Sequence, residues 1–271
     1  MKEYAMKIVK VMGIIFFAMI TFGWGKSNIA EERKVYIPSD ELRKSVVKSI
    51  EENTGKKITD ELPTIKEMEY ADSVYLAGES LEGVQYLTNV ESAVYVPVNE
   101  GSIDMRPIGK MKNLKFLQYY WYMTEAKATH MVQDISYLSG LENLEGLDLY
   151  GYPVLDLTPL SNLKNLDRFD GDSYVTAPAA VVDRSTKQLI FENPMKYSTQ
   201  FDQAEKSTGY TELSNGDDTW NKKIDAKLEN NLVTVEGIDE RATQIKVTLT
   251  AISSNRMYRH DLQYTIPLVW K

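Results

Sequence analysis

The chain has 271 residues, 43% of them hydrophobic and 26% charged, which is enough for one large or two modest globular units. Its net charge of −8 makes a phosphate backbone or an anionic membrane a poor partner. It has no cysteine, which excludes a disulfide framework, a thiolate metal site, a thiol nucleophile and a cysteine-linked lipid.

The first predicted element is a targeting segment over residues 1–26. Lys2, Lys7 and Lys10 precede the apolar run VMGIIFFAMITFGWG at 11–25, and Lys26 closes it. Fifteen apolar residues fall short of a hydrocarbon core about 30 Å thick, so a secretory signal is expected, with an uncleaved anchor as the alternative. Its removal leaves 27 basic and 38 acidic residues. The final TIPLVWK carries no sorting motif, apolar helix or basic tail, so the expected product is released rather than anchored.

Residues 27–68 read as a small helical cap. Ser39 is placed to cap a helix, Asp40 and Glu41 suit its positive end, and Leu42, Val46, Val47 and Ile50 keep helical spacing. Gly55 ends it, and a second short helix is expected from Thr59 to Met68.

Residues 69–175 read as repeats. SLEGVQYLTNV, DMRPIGKMKNL, DISYLSGLENL and DLTPLSNLKNL close on Asn89, Asn113, Asn143 and Asn165, which lie 24, 30 and 22 residues apart. Three of them carry an acid at one place: Asp104, Asp134 and Asp156. A short extended piece follows each closure, and this period and pattern are those of leucine-rich repeats. Alternation turns Val90, Ala93 and Tyr95; Leu114, Leu117 and Tyr119; Leu144, Leu147 and Leu149; and Leu166 and Phe169 inward. Pro107 and Pro159 fall in the turn-back, where a missing N–H costs little. The slot three residues past each strand, where regular repeats place a ladder asparagine, holds Val98, Tyr122, Tyr152 and Tyr174, so no ladder is expected. The second unit carries an insertion around WYMTEAKATHM.

Residues 176–271 change character. KQLIFENP, NLVTVEG, TQIKVTLTAIS and DLQYTIPLVW are β-branched or aromatic runs between turn-rich pieces, and about seven short strands without helical periodicity imply a sandwich.

The order of signal, IPSDELRKSV, SLEGVQYLTN, DLTPLSNLKNL repeats and β-sandwich resembles the internalin family of secreted and surface bacterial proteins. The resemblance covers essentially the whole chain after the signal. It implies an α+β repeat fold: helical cap, short right-handed solenoid and immunoglobulin-like sandwich fused into one unit, with a concave repeat face that binds host proteins. The chain departs from the family in having few repeats, tyrosine in the ladder slot and no anchoring module.

Chemistry is hard to assemble from the residues. The chain has only His130 and His260, each expected at the surface, and no phosphate loop, zinc helix or nucleophile elbow. DGDSYV and NGDDT lack calcium-loop spacing and read as solvated turns. No cofactor, metal or catalytic residue is expected, nor a nucleic-acid partner or stable membrane insertion after signal removal. What remains is a surface rich in tyrosine, of which the chain has 17. The outward positions Phe116, Gln118, Tyr120, Asp148, Tyr150 and Arg168 are the candidate partner-binding residues, with the aromatics as anchors and Asp148 and Arg168 orienting the ligand. The expected function is a secreted, non-enzymatic, monomeric protein-binding module. The alternatives are an envelope-acting hydrolase and a structural or bacterial-competition protein without a host target. Four or five strands would make a face only about 20 Å long, burying less than a standard interface of roughly 800 Å² per side.

Overall fold

The computed structural model describes residues 32–97, 103–121, 132–216 and 219–271. The expected signal, the ladder positions Val98 and Tyr122, the insertion after Trp121 with His130, and the middle of NGDDT lie outside them. No helix among the described residues is long and apolar enough to cross a membrane.

Helix α1, Asp40–Thr54, begins where Ser39 Oγ accepts the Leu42 N–H and ends at Gly55, whose φ of 68° a side chain would resist. Its buried stripe of Leu42, Val46, Val47 and Ile50 packs inward as the spacing predicts. The second expected helix is shorter than the sequence implies. A 3-10 turn at Thr59–Glu61 and helix α2, Ile65–Met68, replace it, with Pro63 between them and a Thr64–Glu67 capping box starting α2.

Five parallel strands follow: β1 Ser73–Leu76, β2 Ser92–Tyr95, β3 Phe116–Tyr120, β4 Gly146–Tyr150 and β5 Arg168–Thr176. Between them the chain returns through 3-10 turns at Val84–Tyr86, Arg106–Lys110, Ser136–Gly140 and Thr158–Asn162. Pro107 and Pro159 sit in the first residues of their turns. Asp104, Asp134 and Asp156 each accept the N–H two residues on, at 2.8–3.0 Å, which explains the recurring acid: it closes the turn before the 3-10 segment starts. Each strand-and-turn unit buries one leucine-like residue per position, so Leu114, Leu144 and Leu166, then Leu117, Leu147 and Phe169, stack from unit to unit.

Two other features tie the units together without asparagine in the slot past the strand. Asn89, Asn143 and Asn165 donate side-chain N–H bonds to the carbonyls of Glu69, Lys112 and Glu142 in the unit before, so the closing asparagines themselves form a ladder. In the interior, Tyr95, Tyr119 and Tyr152 pack in a column, tilted and then edge to face, with ring centroids 5.3 and 4.6 Å apart. Tyr152, which occupies the expected asparagine slot, is thus a buried packing residue.

The sheet does not end with the repeats. Strand β13, Tyr258–Trp270, pairs in parallel with the full length of β5 from Phe169 to Thr176, and β12, Gln244–Ile252, β8, Glu205–Ser214, and β9, Asn221–Lys223, continue it antiparallel. A short strand β6, Ala180–Val182, takes over beside β13 where β5 leaves off. Against this sheet packs a second one, in the order β10 (Ala226–Glu229), β11 (Leu232–Glu236), β7 (Gln188–Glu192). The four apolar runs singled out in the sequence are β7, β11, β12 and β13; β8 was missed because EKSTGYTELS lacks clean alternation and bulges between its pairings with Val247 and Leu249. The architecture is β-rich and repeat-bearing, with an immunoglobulin-like pair of sheets at its carboxyl end.

Candidate binding face

Pairing register places the six candidate residues on one surface. Phe116 lies opposite Gly146, which lies opposite Arg168; Gln118 lies opposite Asp148; Tyr120 lies opposite Tyr150. The intervening Leu117, Tyr119, Leu147 and Leu149 are all buried, so the strands face the way alternation predicts.

The rings of Tyr120 and Tyr150 stack 5.4 Å apart and 14° from parallel, half-buried, with their faces set by the parallel register. The Tyr150 hydroxyl donates to Asp170 Oδ2 at 2.8 Å, and burial together with that carboxylate raises the phenol's pKa. Gln118 Nε2 donates to the Tyr120 hydroxyl at 3.0 Å and to Asp148 Oδ2 at 2.8 Å. Gly146 leaves a gap that Phe116 fills: a Cβ there would sit 2.9 Å from the ring and 3.8 Å from the Arg168 guanidinium. Phe116 is 45% exposed and is the most open of the aromatics in this row.

Asp148 differs from its sequence assignment. It points to the outward face but is only 3% exposed, covered by Arg168, which bonds it at 2.7 and 3.1 Å, and by Gln118. Its carboxylate therefore holds those two side chains in place and has no oxygen turned to a ligand. Arg168 remains partly open above it.

The face extends beyond the six candidate residues. Asp170 and Asp172, which strand alternation from Arg168 turns outward, lie within strand β5 and not in the solvated turn expected of DGDSYV. Opposite them on β13 are Arg259 and Asp261, which are ion-paired at 2.6 Å, with Thr250 Oγ1 donating to Asp261 at 2.6 Å. The row Tyr120, Tyr150, Asp172, Asp261 crosses from the repeats into the carboxyl-terminal sheet. Asp172 takes the Gly151 N–H and the Tyr174 hydroxyl, and burial raises its pKa. The alternation in YRHDLQY could have shown Arg259 and Asp261 sharing a face, but no local signal tells which strand they lie beside.

His260, expected at the surface, is buried at the junction instead. Its ring stacks on Phe169 at 6.2 Å, and Nε2 lies 3.0 Å from Ser173 Oγ. The Ser173 hydroxyl is committed to the Tyr152 carbonyl at 2.7 Å, so the imidazole donates from Nε2 and its Nδ1 is left without a partner. Burial lowers its pKa to about 4, so it is neutral at ordinary pH. This serine–histidine pair is sealed from solvent on both sides.

No family model and no curated protein matches the chain. Solved structures similar to it include the CBM51-2 and INT domains of Clostridium perfringens ZmpB, at 16% identity and TM-score 0.30, covering 88% of this chain and 37% of that one. Internalin C2 of Listeria monocytogenes matches at 19% identity and TM-score 0.25, covering 52% and 77%. The functional domain of InlJ from the same organism matches at 12% identity and TM-score 0.32, covering 72% and 48%. This chain spans well under half the length of the ZmpB structure.

Proposed function

We propose that this is a secreted, non-enzymatic, internalin-like protein-binding module that engages its partner through the open face of the parallel strands. In this reading residues 27–68 cap a short right-handed solenoid at 69–175, and 176–271 form the fused sandwich. Adhesion to, or modulation of, a host is the role the sequence resemblance implies. The observation that carries the reading is the preorganised aromatic pair: Tyr120 and Tyr150 are stacked and hydrogen-bonded in place, with Phe116 further along the same strand on the same face, which no described element covers. Side chains already held in one rotamer lose little entropy on binding, which favours an interface role. Continuation of the sheet through β13 and β12 also relieves the size limit of five strands, since seven strands at about 4.8 Å give a face near 30 Å long. A non-enzymatic role is supported by the carboxylates of the face being tied to arginine, tyrosine or backbone partners.

The test is capture from host-cell surface extracts and culture supernatants with the purified chain, with Tyr120→Ala/Tyr150→Ala as the comparison. Partners retained by the native face and lost by the double variant support the reading. Equal retention by both, or turnover of envelope polymers by the chain, overturns it.

A further inference from the structure

Among the described residues two sheets present four terminal strands, and an exposed strand edge is a template for pairing unless something blunts it. On β1, helix α1 lies alongside, and Ser45 Oγ accepts the Tyr75 N–H at 2.8 Å. β9 is three residues long and carries Lys222 and Lys223. β10 is tied to the facing sheet, where Thr208 Oγ1 donates to the Ala226 carbonyl at 2.7 Å. The side branch β6 is also only three residues long. Among the described residues β7 is five residues long with no helix along it; the three-residue β6 approaches it, and Glu192 is its one charge. Asn193 N–H bonds to the Asn231 carbonyl, which sets the antiparallel alternation: residues 189, 191 and 193 face β11, and residues 188, 190 and 192 turn their N–H and C=O groups to the open edge. The centre of that edge is Ile190, 53% exposed, where a blunted edge would carry a charge.

We propose that β7 is a self-association edge, occupied by β7 of a second copy of this chain in antiparallel register about a two-fold axis at Ile190. The sequence QLIFE is self-complementary in that register. Ile190 meets Ile190 of the second copy as a hydrogen-bonded pair, so two exposed apolar side chains cover each other. Gln188 falls opposite Glu192 on both sides of the axis. Gln188 Nε2 already donates one hydrogen to Glu236 at 3.0 Å and has a second for the incoming carboxylate. The two three-stranded sheets become one of six, leaving the row around Tyr120 and Tyr150 uncovered. The proposal is independent of what that row binds, and it replaces the monomer expected from the sequence.

The absence of native cysteine makes the register directly readable. Hydrogen-bonded antiparallel partners stand about 5.5 Å apart at Cα, within disulfide reach. Under mild oxidation Ile190→Cys should form a dimer. Gln188→Cys and Glu192→Cys should each stay monomeric alone yet cross-link when mixed. Val269→Cys, similarly exposed but off this edge, should not cross-link. In sedimentation the native chain should shift toward twice its mass between about 10 µM and 1 mM, the range fitting an interface under roughly 1,200 Å². Ile190→Lys should remain monomeric with an unchanged melting temperature. A native chain that stays monomeric throughout, or an Ile190→Cys variant that cross-links no better than Val269→Cys, overturns the proposal. Gln188→Cys cross-linking alone as well as Ile190→Cys refutes the register and with it the pairing.

Discussion

At Tyr119 and Tyr120 the pleat of β3 turns one ring into the tyrosine column and the next onto the open face. Tyr119 is 4% exposed between Tyr95 and Tyr152, so Tyr119→Ala leaves a cavity that neighbouring rings cannot close. Large-to-small changes of this kind cost about 3–4 kcal/mol, and the melting temperature should fall by roughly 10 °C, read by calorimetry. Tyr120→Ala and Tyr150→Ala remove half-buried rings outside the core and should cost about 1 kcal/mol or less. Each should instead weaken a captured partner roughly thirtyfold, the effect of losing an aromatic anchor worth about 2 kcal/mol. Titrating that partner against the two variants checks this; unfolding by Tyr120→Ala would mean that β3 faces the other way. For Asp148 the expectation differs from that for an exposed acid. Asp148→Ala frees Arg168 and Gln118 together and should lower stability by about 2 kcal/mol in denaturant titration, because a buried charge-assisted group is lost.

Among the elements, β5 and β13 meet at a group that titrates. His260 has its folded pKa depressed by burial to about 4, against an unfolded value near 6.5. The unfolded chain therefore binds a proton first as pH falls, and stability present above pH 6.5 is lost progressively down to about pH 4, by about 3 kcal/mol in all. Asp172 works in the opposite sense: its raised pKa means that the folded state takes up its proton first, adding stability as pH falls through the acid range. His260→Leu should flatten the decline of melting temperature between pH 6.5 and 5, and an unchanged decline would place its cause elsewhere. The asparagine ladder is a second element-scale device. Asn143→Ala and Asn165→Ala each remove one exposed bond to the preceding unit and should cost about 1 kcal/mol or less, measurable as a shift of the urea midpoint.

For the whole molecule, the junction decides what can fold alone. Phe169 packs on Phe201 at 6.0 Å and on His260, the Tyr258 hydroxyl donates to the Leu166 carbonyl, and β5 gives one complete edge to β13. The Lys196 N–H and carbonyl also bond Leu155 and Leu157, so the segment after β7 finishes the last repeat. Cutting after residue 176 would expose Phe169, Leu166 and the whole edge of β5. The repeats alone should lack a cooperative melting transition by circular dichroism, and restoring 177–271 should recover it. A sharp transition in the isolated repeats would show that the two parts are merely adjacent.

Much of this molecule follows from local pattern. The helix stripe and caps of α1, the inward leucines, the turn-back prolines, the aspartates closing each turn and the shared face of Phe116, Gln118, Tyr120, Asp148, Tyr150 and Arg168 all rest on interactions within a few residues or on a period of two. That is why they are legible in the residues themselves. Other features required neighbours distant in the chain. Tyr152 joined the buried column because Tyr119, in the previous unit, stands beside it; Asp148 was covered because Arg168, on the adjacent strand, reaches it diagonally. His260 was buried because β13 inserts next to β5, a choice between strands of equal propensity that only packing of Phe169, Phe201 and Tyr258 resolves. The length of the open face was settled by the same pairing. Strand alternation says which way a side chain points, but only the order of strands in the sheet says what stands over it.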